Sequence, residues 1–256
     1  MMRIAALLAV VGLLVLIVGC GEEEPTGPGP TVSAPTNLTI TVVPADSLSV
    51  QLSWTAPVVA GPADIDGYIV SFKGNVVDTV TTTTFQHTPT SLGTYSVKAY
   101  KGDDESSAIE ASTALHEETG EGPIYWMQDP DPGHPSCFGW DNTGNGSTYP
   151  WDSQYIDNID LVLDADEDLR SPSDTFGGLW HTTGIAYDGG WTYATMTVAP
   201  LSGYFTFQNV VDGGVYVLYL ETGNHLKLEI TSYNPGTHSI IFKFGYQTVA
   251  GFRRLG

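Results

Sequence analysis

Short runs in which apolar and polar residues alternate recur through most of this chain. In "LSVQLSW" (residues 48–54) and "TYSVKAY" (residues 94–100), every second residue is apolar. This spacing is typical of a β-strand with one buried face, because successive side chains of a strand point to opposite sides. Gly, Pro, Asn and Asp separate the runs, as expected for turns between strands. The pattern predicts an all-β chain.

The first group of runs covers residues 34–115, and its turns are spaced as in a β-sandwich. Its marker residues are Pro35, Leu38, Trp54, Pro57, Tyr68, Val70, Leu92, Gly93 and Tyr95. With these residues the region resembles a fibronectin type III domain. The resemblance implies a sandwich with Trp54 in its core and a tyrosine corner, in which Tyr95 hydrogen-bonds to the backbone. We interpret this domain as a spacer, since the fold alone says little about function.

A second antiparallel all-β domain is predicted over residues 118–256, after a linker at residues 116–123. Helical periodicity is absent from this part of the chain. The predicted strands include "PIYWMQ", "IDNIDLVLD", "LWHTTGIAY", "WTYATMTVA", "GYFTFQNV", "HSIIFKFGYQTV" and "GFRRL". The expected fold class is therefore all-β, with an N-terminal fibronectin type III β-sandwich followed by a second antiparallel all-β domain.

The run "GVYVLYLETGNHLKLEITSY" (residues 214–233) predicts a hairpin that turns at Thr222-Gly223-Asn224. Its first strand is apolar on both faces and is expected to lie between layers. Alternation in the second strand divides its residues between two faces. The residues expected in the core are Leu226, Leu228 and Ile230. Those expected in water are His225, Lys227 and Glu229.

The C-terminal strands carry a second set of marker residues. These are Tyr216, Val217, Thr222, Gly223, Lys227, Ile230, Ser232, Tyr233, Phe242, Tyr246 and Gln247. With them, about forty residues at the end of the chain resemble the HmuY-like haem-binding lipoproteins, although Ile159 stands where that family usually has Trp. The resemblance implies an all-β ligand-binding domain on a lipoprotein. It does not assign haem ligands.

The chain starts with the short basic segment Met1-Met2-Arg3. An uncharged apolar run follows at residues 4–19, and this combination is typical of a secretory signal. The run ends in Ile17-Val18-Gly19-Cys20, which resembles a bacterial lipobox. This implies a lipoprotein signal peptide at residues 1–19, lipidation of Cys20 and export, with the outer membrane as the expected location. The alternative is a membrane-spanning anchor. The Gly-, Pro- and Glu-rich residues 20–33 are expected to form a flexible tether.

The formal net charge of −20 argues against nucleic acid as a partner. Cys137 is the only cysteine besides Cys20, so a lipidated Cys20 leaves no disulfide to form. Cys137 is expected to be a small buried residue.

Two histidines are candidate axial ligands for haem iron, which needs His, Met, Cys or Tyr donors in an apolar pocket. His181 follows Trp180 in a predicted aromatic strand, and His134 lies on the loop "DPDPGHP". The alternative is that each is an ordinary surface or core residue.

The loop "DNTGNGSTYPWD" is a candidate calcium site. Asp141, Thr143, Asn145 and Asp152 occupy positions 1, 3, 5 and 12, with Gly146 at position 6. Oxygen ligands at this spacing suit Ca²⁺, although calcium loops of this spacing have Glu at position 12. The alternative is a turn built on Asp and Gly.

The aromatic cluster at residues 138–155 has the composition of a glycan site, although core packing accounts for most tryptophans. No nucleophile elbow or phosphate loop is present, so an enzyme is not predicted. The expected function is that of a non-enzymatic binding module on a lipid-anchored envelope lipoprotein, with a glycan or a protein as ligand. The alternative is haem binding through His or Met.

Overall fold

The structure is a computed structural model that describes residues 32–58 and 65–256. The predicted signal peptide, Cys20 and residues 20–31 of the predicted tether lie outside the described residues. The strands are β1 (Thr36–Val42), β2 (Val50–Thr55), β3 (Gly67–Phe72), β4 (Asn75–Val80), β5 (Thr84–His87), β6 (Thr94–Lys101), β7 (Asp104–Glu105), β8 (Ile109–Ser112), β9 (Leu115–Tyr125), β10 (Cys137–Trp140), β11 (Gly146–Tyr149), β12 (Leu161–Leu163), β13 (Asp168–Arg170), β14 (Gly184–Tyr187), β15 (Phe207–Asn209), β16 (Val215–Tyr219), β17 (His225–Asn234) and β18 (Ser239–Gln247). The described helices are a 3-10 helix (Ser153–Tyr155) and α1 (Pro172–Phe176). The predicted all-β fold class is confirmed.

Strands β1 to β8 form a sandwich of two antiparallel sheets. One sheet has the order β1-β2-β5, and the other has the order β4-β3-β6-β7, with β8 also paired to β6. Alternate residues of β2, β3 and β6 point between the sheets and are buried there. Trp54 packs edge-on against Tyr68, with 5.2 Å between ring centroids, so its predicted place in the core is confirmed.

Tyr95 is fully buried, but within residues 32–58 and 65–256 its hydroxyl does not make the backbone hydrogen bond expected of a tyrosine corner. The hydroxyl lies 2.7 Å from Nδ1 of His87 on β5. His87 projects toward Tyr95 and Phe72, which places a ring nitrogen within reach. Burial raises the pKa of Tyr95, so the phenol stays neutral.

Two further five-stranded sheets form the second domain. Their orders are β11-β10-β12-β13-β15 and β14-β16-β17-β18-β9. One apolar cluster joins them: Phe138 and Leu161 come from the first sheet, while Leu218, Leu228 and Phe242 come from the second. The sheets therefore pack face to face, as in a β-sandwich.

The predicted hairpin is present as β16 and β17, with Val217 opposite Lys227 and Leu218 opposite Leu226. Leu226, Leu228 and Ile230 lie in the core as expected. The expectation that His225 and Lys227 face water is wrong, since each is only 5% exposed. A second apolar cluster, which includes Met196, Ala199 and Leu255, covers the outer face of this sheet.

Three predicted strands are largely absent. The run at residues 251–255 contributes only Arg254, which forms an isolated bridge. The run at residues 191–199 forms a turn followed by a single bridge between Val198 and Arg254. Trp180 and His181 precede β14, so the prediction that they lie in a strand is wrong. Their segment is held by side-chain contacts, including the hydrogen bond from the Thr182 amide to Glu221.

The expected linker at residues 116–123 lies within β9, which pairs with β18 of the second domain. The end of the chain also returns to the first domain. Phe252 is fully buried in the core of the first sandwich, and Gln247 donates a hydrogen bond to the carbonyl of Thr113. The two domains therefore share buried contacts.

Among residues 32–58 and 65–256, no helix has the length and apolar character that crossing a membrane requires.

Candidate functional site

An open cavity of about 670 Å³ lies in the loops beside the β10–β12 sheet. We call it the aromatic pocket. Its lining residues are Met127, Trp151, Asp152, Ser153, Thr175, Phe176 and Trp180. Ligand sites in proteins are typically concave and apolar, with a few polar groups that orient the ligand. The volume and the lining both fit that description.

Three aromatic rings form one wall of the aromatic pocket. Trp151 and Phe176 stack almost in parallel, at 10° and 5.4 Å between ring centroids. The Trp180 ring is tilted by 48° against Phe176, with 4.6 Å between the two ring centroids. The Trp151 side chain is 55% exposed, which is unusual for so large an apolar group. A flat aromatic face is thus open to solvent.

Local structure holds these rings in place. Phe176 ends α1, which begins with Pro172 at a position where proline favours helix initiation. Asp152, next to Trp151, caps the 3-10 helix by accepting a hydrogen bond of 3.0 Å from the Gln154 amide. Both elements therefore restrain the backbone that carries the stacked pair.

Below the rings lies a small buried cluster of Cys137, Ile159 and Val162. Cys137 is free and fully buried, as predicted. Burial raises the pKa of its thiol to about 12, so almost no reactive thiolate forms at neutral pH. The thiol beneath the rings is therefore unreactive at neutral pH.

His181 adjoins the aromatic pocket through Trp180 but is not among its lining residues. Its Nδ1 lies 2.9 Å from Oδ1 of the buried Asp160. The other oxygen of Asp160 accepts a hydrogen bond from the Trp140 amide. The hydrogen bond to Asp160 raises the pKa of His181 above its usual value, against the opposing effect of burial. This contact orients the ring and leaves Nε2 without a hydrogen bond among the described residues.

His134 lines a smaller cavity of about 180 Å³ that shares Met127 and Trp151 with the aromatic pocket. Its ring stacks on Tyr125 at 3.8 Å, and its Nδ1 contacts Asp129 at 3.0 Å. The two candidate haem ligands therefore lie on different loops, and no contact joins their side chains in the part of the chain that the structure describes.

The candidate calcium loop is closed by its own hydrogen bonds. Oδ1 of Asp141 accepts from the Thr143 amide at 2.8 Å and from the Thr143 hydroxyl at 2.7 Å. The Asn145 side chain donates to Oδ2 at 2.8 Å. The hydrogen bonds from Asn145 and Thr143 hold the pKa of Asp141 well below its usual range. Asp152, in contrast, is engaged by the 3-10 helix.

Within the described part of the chain, no group of three or more His, Cys, Asp or Glu side chains is arranged to hold a metal ion. The geometry of the Asp141 loop is that of an Asx turn. Calcium binding at this loop stays a prediction.

The glycan site predicted from residues 138–155 includes two residues of the aromatic pocket, Trp151 and Asp152. It does not include three others that line the pocket, which are Thr175, Phe176 and Trp180. Phe138 and Trp140 belong to the core instead. The segment "SPSDTF" could have indicated Phe176, because Pro172 starts a short helix that ends in this aromatic residue.

Residues 33–112 match the family model of the fibronectin type III domain. The matched segment is the first sandwich, from the residues before β1 to the end of β8. No curated protein matches the chain.

Proposed function

We propose that this chain is a non-enzymatic binding module of the cell envelope and that it binds a glycan in the aromatic pocket. The observation that carries this proposal is the exposed, parallel pair of Trp151 and Phe176. A pyranose ring presents a face of C–H groups that packs well on a flat aromatic surface, which is large and apolar. The match of residues 33–112 to the fibronectin type III domain supports an interaction role.

Polar groups at the aromatic pocket suit sugar hydroxyls. Asp152, Ser153 and Thr175 line it alongside the rings. A carboxylate accepts hydrogen bonds, whereas a hydroxyl both donates and accepts. Together they match the mixed donors and acceptors of a carbohydrate and fix its orientation on the rings.

A polysaccharide pull-down and a glycan array test this proposal. Trp151→Ala should abolish retention of any glycan that the native protein binds. Phe205→Ala is the matched control, because Phe205 is an aromatic side chain outside the pocket that is 61% exposed. Binding that survives in Trp151→Ala would contradict the proposed site.

The location is proposed from the N-terminus. Cys20 and the lipobox would attach the protein to the bacterial envelope, with the outer membrane as the expected bilayer. The tether at residues 20–33 would hold the first sandwich away from the lipid surface. In this arrangement the first sandwich separates the anchor from the ligand-binding domain.

Haem binding is the second candidate function, favoured by the resemblance to the HmuY-like lipoproteins and by the His181–Asp160 contact. Histidines that bind metal commonly direct their other ring nitrogen to a carboxylate. Asp160 holds Nδ1 of His181 in this way, which leaves Nε2 as the donor atom. Haemin titration should give a Soret shift that is lost in His181→Ala and retained in a His87→Ala control. No shift at micromolar haemin would reject this function.

A further inference from the structure

A second cavity, of about 320 Å³, lies where the two domains meet. We call it the interdomain cavity. Ser47 contributes from the turn between β1 and β2, while Tyr219 and His225 contribute from the hairpin of the second domain. Arg253 completes the wall from the end of the chain. This volume is at the lower end of the range for ligand sites, so it suits a compact ligand.

His225 is the first sign that the interdomain cavity is a ligand site. The residue is only 5% exposed, and its Nδ1 is buried without a hydrogen-bond partner in the described part of the protein. Buried polar atoms are nearly always paired, so an orphan in a cavity wall needs an explanation. Burial, followed by the charge of Arg253, lowers the pKa of His225 to about 4. The ring is therefore neutral at pH 7.

Arg253 is the second sign. Its Nε and Nη2 both donate to the Ala199 carbonyl, at 2.9 and 2.5 Å, and Nη1 donates to the Asp46 carbonyl at 3.4 Å. One N–H of each terminal nitrogen is left for a ligand. Among residues 32–58 and 65–256 it makes no ion pair, whereas Arg170 contacts three aspartates. This is unexpected in a chain with 29 acidic and 9 basic residues. Its positive charge is thus uncompensated beside the cavity.

The remaining walls are flat and largely apolar. One side of the Tyr219 ring stacks on His225 at 4.7 Å, and the residue is still 43% exposed. The Tyr204 hydroxyl donates to the Pro200 carbonyl, and burial raises the pKa of Tyr204, so this phenol is neutral. Leu201 adds an exposed aliphatic group at the same cavity.

We propose that the interdomain cavity binds a small aromatic carboxylate, with its carboxylate on Arg253 and its ring against Tyr219. The guanidinium is planar and has five N–H donors, a geometry that matches a carboxylate. An aromatic ring gains from offset stacking on the open side of Tyr219. His225 supports the Tyr219 ring from the inner wall, where the two rings stack at 4.7 Å.

A bound ligand would also strengthen the contact between the domains. Arg253 already joins them, since its amide donates to the Ser47 carbonyl at 2.9 Å. A carboxylate on its side chain would neutralise the charge at this junction. Ligand binding should therefore raise the melting temperature of the full chain, because a ligand that binds only the folded state stabilises it.

The test uses the full chain and phenylacetate, with the neutral phenylacetamide as the matched probe, in calorimetric and NMR titrations. Phenylacetate should bind with one-site saturation and shift the His225 ring resonances, and phenylacetamide should bind at least about tenfold more weakly. Arg253→Gln and the surface change Tyr219→Ala should each weaken binding by at least about tenfold. Arg254→Gln is the control. It also removes one positive charge, but Arg254 does not line the cavity and donates to the Thr90 carbonyl instead.

The proposal is overturned if phenylacetate fails to saturate a site or if the amide binds equally well. Unchanged affinity in both Tyr219→Ala and Arg253→Gln would also overturn it. If Arg253→Gln does not fold, Tyr219→Ala still tests the proposal. Tyr219 is partly exposed, so its replacement should leave the protein folded. Trp151→Ala should leave phenylacetate binding unchanged, which separates this site from the aromatic pocket.

Discussion

The ammonium group of Lys227 lies 4.3 Å from the centre of the Tyr193 ring and 3.1 Å from the Tyr193 carbonyl oxygen. Tyr193 belongs to the segment that covers the outer face of β17. A second cation, Lys243, lies 4.5 Å from the same ring centre. One tyrosine therefore accommodates two lysines on a sheet face that alternation alone assigns to water. Burial lowers the pKa of Lys227, although Glu117 acts in the opposite direction.

Removal of the Tyr193 ring should destabilise the protein. Tyr193→Ala should lower the free energy of unfolding by about 2–3 kcal/mol, because it removes buried contacts and the cation–π interaction. Tyr193→Phe keeps the ring and loses only the hydrogen bond from its hydroxyl to Glu117, so it should cost under about 1 kcal/mol. Urea denaturation measures both. Equal losses would show that the ring itself contributes little.

His225 should make the protein sensitive to acid. Its pKa is lowered to about 4 in the folded state, whereas an unfolded histidine has a pKa of about 6.5. Between these values the unfolded chain takes up a proton that the folded protein does not. Stability is therefore lost as pH falls from about 6.5 to about 4, by roughly 3 kcal/mol in total.

Urea denaturation at pH 7.5 and at pH 4.5 tests this effect. His225→Gln should lose less stability over this interval than the native protein, because glutamine does not titrate. His87→Gln is a comparison, since burial lowers the pKa of His87 as well. Parallel pH profiles for the native protein and His225→Gln would contradict the assignment.

Phe252 should stabilise the first sandwich although it comes from the end of the chain. Phe252→Ala should reduce the free energy of unfolding by about 3–5 kcal/mol, as expected for the loss of a fully buried phenylalanine. The exposed Phe205→Ala should change it by less than about 0.5 kcal/mol. Chemical denaturation compares the two. A small effect of Phe252→Ala would mean that the domains are energetically independent.

Calcium binding by the Asp141 loop predicts that Ca²⁺ raises the melting temperature and that a chelator reverses the rise, because a ligand specific for the folded state stabilises it. Asp152→Asn should remove the effect, since it replaces a charged ligand at position 12 of the loop. Thermal melts with and without chelator provide the measurement. An unchanged melting temperature would mean that Asp141 only closes the turn, by accepting hydrogen bonds from Thr143 and Asn145.

Lipidation of Cys20 predicts that Cys20→Ser moves the protein out of the membrane fraction and lowers its mass by the lipid. Cys137→Ala is the control, because Cys137 is buried in the second domain and should not affect anchoring. Membrane fractionation with intact mass spectrometry checks both variants. An unchanged mass and location in Cys20→Ser would disprove the anchor.

Much of the fold was predictable from short-range patterns. Alternation located most strands, and it placed Trp54 and Leu228 in their respective cores. The turn at Gly223, where φ is 84°, marked the hairpin, since glycine adopts this backbone conformation without steric cost. The run at residues 191–199 shows the limit, because its aromatic and β-branched residues resemble a strand but pack as a turn.

The candidate sites were less predictable. Trp151 was recognisable as part of an aromatic cluster, but its partner Phe176 comes from α1, which is distant in sequence. His181 was chosen for its neighbour Trp180, whereas its orientation depends on Asp160, which is distant in sequence. Such contacts leave no periodic signal in the chain.

The sequence by itself determined which residues of β17 share a face, because side chains of a strand alternate between its two sides. Only the tertiary structure decided what each face would contact. The face of Leu226 meets the opposite sheet, whereas the face of His225 and Lys227 is covered by Tyr204 and Tyr193. A repeating pattern is a local property, but burial depends on segments that are far away along the chain.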